Sequence, residues 1–110
     1  MIYRHKTLAA GRWRQLSLMV QLANIGSEVE RALKWQVKGN QFFLSQAVDR
    51  VLELFNLTIA DSKNKKRLKE IVRARELLAD YFIGANLYQT TAKDWQKYFY
   101  NFNFASRLDT

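Results

Sequence analysis

The sequence predicts an all-α fold, and three observations predict it. No proline occurs among the 110 residues, so nothing in the chain interrupts long helices. Apolar residues recur with a helical period over four successive segments. The breaks between those segments are short and carry glycine, asparagine, aspartate or serine, the residues that cap and turn helices. Four helices with short links assemble most simply as an up-down-up-down four-helix bundle, here in one domain over residues 1–110.

The first helix is expected from about Leu8 to Val37. Ser17, Gln21, Asn24, Glu28 and Arg31 make a narrow polar stripe, and nearly every other position from Leu16 to Leu33 is apolar or small. A helix with so little polar surface is buried over most of its circumference. Either it runs centrally within one bundle or it forms a subunit interface, and the expectation adopted is a homo-oligomer. Gly39 and Asn40 end it with a left-handed cap and tight turn.

The second helix is expected from Gln41 to Ala60, with Leu44, Ala47, Val48, Val51, Leu54, Phe55 and Thr58 inward. Gln46, Asp49, Arg50, Glu53 and Asn56 face water. Asp61, Ser62 and Asn64 supply turn and cap chemistry before a third helix from Lys65 to Ile83. Its seam is Leu68, Ile71, Leu78 and Phe82, with Lys69, Arg73, Glu76 and Asp80 pointing away. Arg75 falls on the seam and needs a partner: Glu53, Glu30 or Asp49 across the bundle, or else a place lining the pore of an oligomer. Thr91 and Asp94 match a capping box that opens the fourth helix after a loop at Gly84 and Asn86. Trp95, Tyr98, Phe99, Phe102 and Ser106 share one face of that helix, and Lys93, Lys97, Tyr100, Phe104 and Arg107 the other.

Charge is distributed unevenly. Residues 1–16 carry Arg4, Lys6, Arg12 and Arg14 with no acid, and residues 61–69 carry Lys63, Lys65, Lys66, Arg67 and Lys69 against Asp61. Each stretch has a charge of +4, and together they equal the net charge of +8. In an up-down-up-down bundle both stretches lie at one end, with Arg107 nearby. Such a concentration suggests a polyanion, most often nucleic acid. Cations at a helix N-terminus oppose the macrodipole by about 0.3–1 kcal/mol each, whereas a phosphate backbone would gain from the charges and from the free amides of the first turn. The plain alternative is a solvated patch. The nucleic-acid-binding candidates are thus Arg4, Lys6, Arg12, Arg14, Lys63, Lys65, Lys66, Arg67, Lys69 and Arg107. Trp13, between Arg12 and Arg14, is a candidate stacking residue beside them, and Trp35 reads as core or interface.

The mixed stripe on the fourth helix has three readings: stacking of RNA bases, docking of a protein, or burial on two sides. Lys93, Lys97, Tyr100 and Phe104 are the partner-binding candidates. Catalysis is not expected. The lone histidine, His5, has no arginine before it to complete the Arg-x4–6-His motif of helical-bundle RNases. No Glu-x-x-His pair, glycine-rich phosphate loop or cysteine is present, so no metal or cofactor is expected. No apolar run is long enough to span a membrane, and the basic N-terminus lacks the apolar core of a signal peptide. Lack of cysteine fits a reducing compartment, and a cytoplasmic location is expected.

Residues 44–88 (LSQAVDRVLELFNLTIADSKNKKRLKEIVRARELLADYFIGANLY), followed by residues 94–107 (DWQKYFYNFNFASR), resemble a small four-helix-bundle family. That family includes the accessory variability determinant of diversity-generating retroelements and the protein encoded in ribosomal intervening sequences. The resemblance covers about half the chain and rests on helix layout and basic character, without a diagnostic motif. It implies a basic homopentameric barrel that binds RNA and a reverse transcriptase and has no activity of its own. The aromatic content of the fourth helix and the end at Asp109 and Thr110, without a basic tail, depart from the family, and no family residue is carried over.

Three hypotheses follow. The first is a non-catalytic accessory subunit of a nucleic-acid enzyme that oligomerises and binds RNA, or DNA, nonspecifically at its basic end. The second is a protein-interaction module that docks through the fourth helix and has no nucleic-acid role. The third is an enzyme fragment or substrate-binding bundle that works with a separate nucleotidyltransferase.

Overall fold

Ser17 decides where the first long helix begins. Its hydroxyl accepts a hydrogen bond from the Val20 amide at 3.2 Å, an N-cap that opens α1 at Leu18–Lys38. The structure, a computed structural model, describes residues 11–108. The helix expected to run on from Leu8 is therefore broken: residues 11–14 are helical, residues 15–17 turn, and α1 starts afresh. Gly39, at φ 72°, ends α1 in the left-handed region, and the Asn40 side chain caps α2, Gln41–Ala60.

All seven positions expected on the inner face of α2 are buried. The third helix starts later than expected. Asp61 accepts from the Lys63 amide at 3.2 Å and starts a 3-10 helix, Ser62–Arg67, before α3 at Leu68–Phe82. The tighter turn brings Asn64 inside, where its amide donates to the Thr58 carbonyl at 3.0 Å. Thr91 and Asp94 form the expected capping box, each side chain accepting from the other's amide, at 2.9 and 3.2 Å, and α4 spans Ala92–Leu108.

Side-chain contacts set the helix directions. Trp35 lies against Phe43 at one end of α1 and Gln21 bonds Asp61 at the other, so α1 and α2 are antiparallel. Gln96 donates to Glu30 at 3.2 Å, and Phe99 reaches Gly26 one turn earlier, which makes α1 and α4 antiparallel too. Phe82 joins the cluster of Leu44, Ala47 and Val48 while Arg75 reaches Asn56, so α3 returns along α2. Every described residue in regular secondary structure is helical, and among the described residues no helix is long and apolar enough to cross a membrane.

The core runs through Leu22, Ile25, Val29, Val51, Phe55, Ile71 and Leu78 to Trp95 and Phe99. α1 lies between α2 and α4, and much of its apolar surplus is used within the chain. The backbones of α1 and α4 approach closely: a Cβ on Gly26 would lie 2.8 Å from that of Phe99.

Three side chains depart from the sequence reading. Gln21, placed on the polar stripe, is 0% exposed. Arg75 takes the Asn56 amide oxygen at 2.9 Å instead of a carboxylate, which spares the half-buried seam a second charge. Asp80 accepts from the amides of Leu87 and Tyr88 at 2.9 and 3.1 Å and so organises the α3–α4 loop, where Asn86 and Gln89 hold positive φ.

Candidate nucleic-acid interface

A buried polar network builds the basic end. The Gln21 amide nitrogen donates to the Trp13 carbonyl at 2.9 Å and to Asp61 at 3.0 Å, and its oxygen accepts from Asn64 at 2.8 Å. The Trp13 indole donates to the Thr58 hydroxyl at 2.9 Å, which donates in turn to the Leu54 carbonyl at 2.8 Å. No buried side-chain nitrogen or oxygen among the described residues lacks a partner. The network clamps the turn before α1 onto the end of α2. It also corrects the reading of Trp13, which is 9% exposed and belongs to the core, because its ring fills the space beneath this turn.

The clamp joins the two cationic stretches. Lys63 Nζ donates to the Arg14 carbonyl at 2.8 Å and pairs with Asp61. Arg12, Arg14, Lys65, Lys66, Arg67 and Lys69 are all exposed. Arg67 pairs with Glu70 at 2.8 Å, and Glu70 also accepts from the Tyr98 hydroxyl of α4 at 3.3 Å. Among the described residues, seven cations of the two stretches thus share this end with the carboxylates Asp61 and Glu70. Arg12, Arg14, Lys65, Lys66 and Lys69 form no ion pair with a described carboxylate. The antiparallel return of α4 brings Arg107, exposed in its last turn, to the same end. Arg4 and Lys6 lie outside the described residues.

Electrostatics follow from this geometry. Burial pushes the Asp61 carboxyl up, but hydrogen bonds from Lys63 Nζ, Gln21 and the Lys63 amide outweigh it, and its pKa is lowered from 3.8. Burial and then the adjacent Glu70 charge push the Tyr98 hydroxyl up, which keeps it a donor.

The basic face extends beyond the expected residues. An open depression of ≈1050 Å³ is bordered by Lys65, Lys66, Lys69 and Arg73, with Glu70 and Glu76 the acids on it. Arg73 sits 5.2 Å from the centre of the Tyr88 ring. The helical spacing Lys66, Lys69, Arg73 is the signal in the sequence that points to it. On α4, Lys93, Lys97, Tyr100 and Phe104 are all exposed, while Trp95, Phe99 and Phe102 are buried. Such a surface can hold phosphates through charge and rings through stacking. Among the described residues, no group of three or more histidines and acids is placed to hold a metal ion.

Comparison with protein-family models, curated proteins and solved structures finds no match.

Proposed function

We propose that this chain is a non-catalytic, nucleic-acid-binding accessory subunit, built as an up-down-up-down four-helix bundle, that grips RNA phosphates at its basic end. The observation that carries the reading is the joining of the two cationic stretches through Lys63 and Arg14, with seven of their described cations beside Asp61 and Glu70. Phosphate contacts supply the affinity and little sequence preference. The wider proposal is a cytoplasmic homo-oligomer that serves a nucleic-acid enzyme, the family resemblance implying a pentamer and a reverse transcriptase. Light scattering with and without RNA measures assembly and binding together.

Lys65, Lys66 and Lys69 are the residues to test, because they are exposed and form no ion pair with a described carboxylate, whereas Arg67 is engaged by Glu70. Reversing all three to glutamate removes three phosphate contacts. For single strands the slope of log affinity against log salt flattens by about 0.7 per contact, or about 2 in all. A mobility-shift titration at several salt concentrations reads both affinity and slope. Unchanged affinity in a variant with native circular dichroism removes the hypothesis.

A second reading has its own observation: Tyr100 and Phe104 are 66% and 54% exposed on α4. Exposed aromatics beside Lys93 and Lys97 suit a protein partner. Under that reading Tyr100→Ala with Phe104→Ala abolishes pull-down of a candidate polymerase, and the wild type has negligible RNA affinity.

A further inference from the structure

Along α1 and α2, toward the Gly39 turn, lies a groove of ≈520 Å³ lined by Arg31, Lys34, Trp35, Lys38, Phe43 and Arg50. Glu28 is the one carboxylate on its wall among the described residues. None of the four cations forms an ion pair with a described carboxylate. Arg31 lines the groove from α1 and Arg50 from α2, so cations border it on both helices. Trp35 and Phe43 lie with ring centres 4.7 Å apart at a tilt of 31°, and Lys38 Nζ stands 5.2 Å from the Trp35 ring. Trp35 is half-buried, Phe43 is 42% exposed, and Phe42, edge-on to Phe43, is 66% exposed.

We propose that this groove is a separate site for single-stranded nucleic acid, taking an unpaired base on the Trp35–Phe43 pair and its phosphate between Arg31 and Arg50. Cations flanking a partly open aromatic pair complement one ligand chemistry: a flat π-face joined to an anion. An unpaired nucleotide has both, whereas a duplex keeps its base faces stacked inside. The site lies well away from the basic end. Along α2, at about 1.5 Å per residue, Asp61 lies about 27 Å from Phe43 and about 16 Å from Arg50, the groove residue nearest the basic end. The proposal does not depend on the reading of the basic end.

Tryptophan fluorescence tests it in the full chain. Trp13 and Trp95 are buried, so a base that stacks in solution meets Trp35. A short oligouridylate is expected to quench the emission saturably, and less as salt rises. A blunt-ended duplex of matched length, without a loop, is expected not to quench. Trp35→Phe is expected to remove the quenching. Arg31→Glu with Arg50→Glu is expected to weaken it about tenfold, the equivalent of one stacked and charge-held nucleotide. The triple reversal at Lys65, Lys66 and Lys69 is expected to leave it within about twofold, since those charges lie beyond the Debye length. The absence of quenching by the oligouridylate overturns the proposal, as does equal quenching by the duplex. So does displacement of the strand by polyglutamate at equal charge, which would mean that the groove takes acidic protein. The wild-type comparison of strand with duplex decides the matter even where a variant loses its fold. A mobility shift insensitive to the triple reversal, with this quenching intact, rejects the basic-end reading alone.

Discussion

Replacing Gln21 with leucine tests the clamp that assembles the basic end. The side chain is 0% exposed and makes three hydrogen bonds, to the Trp13 carbonyl, Asp61 and Asn64. Leucine is similar in size and removes all three. None of the partners is wholly abandoned. The Trp13 carbonyl still accepts from the Leu16 amide at 3.0 Å, Asp61 keeps Lys63, and Asn64 keeps the Thr58 carbonyl at 3.0 Å. The cost is therefore three net hydrogen bonds at about 0.5–1.5 kcal/mol each, the one to Asp61 toward the upper end because it is charge-assisted. Offset by the added apolar burial of leucine, the expected loss is about 2–3 kcal/mol. At about 4–5 °C per kcal/mol for a domain of this size, Tm should fall by about 8–15 °C in a circular-dichroism melt. Trypsin should cut faster after Arg12 and Arg14 as their turn comes loose. A cycle with Asn64→Ala should return a coupling of about 0.5–2 kcal/mol. A loss under about 0.5 kcal/mol, with unchanged trypsin rates and additive single effects, would mean that the network does not hold the turn.

Asp61 gives the fold an acid-side dependence. Its folded pKa lies below the ordinary 3.8, so its contribution is present above that pH and is lost as pH falls through the folded value. Asp61→Asn should be less stable than wild type at pH 6, and the gap should close on the acid side of 3.8; a gap constant with pH refutes the assignment. Gly26→Ala should destabilise although alanine favours helix by about 1 kcal/mol, because the new methyl meets Phe99 at 2.8 Å and overpacking costs about 1–3 kcal/mol. Urea denaturation reads the sign, and a net gain shows that α1 and α4 can part without penalty.

What periodicity encodes is legible in this chain without coordinates. The inner face of α2 follows from the spacing of its apolar residues, the start of α4 from Thr91 and Asp94, and the end of α1 from Gly39. These features are local, fixed by which side of a helix a residue occupies or by which backbone amides a nearby side chain can reach.

Gln21 marks where that logic stops. Its polarity placed it outward, yet it bonds residues 40 and 43 positions away, and those partners exist only once α2 has folded back. The same holds for Trp13, whose indole finds Thr58 across 45 positions and so belongs to the core. The charge of the basic end was written in the sequence as two clusters. The cations of the α1–α2 groove were hidden, because Glu28, Glu30, Asp49 and Glu53 interleave with them along the chain. Antiparallel register brought Arg31, Lys34, Lys38 and Arg50 around one aromatic pair, with Glu28 beside them. Composition and period therefore determined the helical class and the inner face of α2, whereas the breaks at residues 15–17 and 62–67, the exposure of Leu68, the buried polar contacts and the surfaces shared by two helices were decided by tertiary register, since each needs groups far apart in sequence to come within a few ångströms.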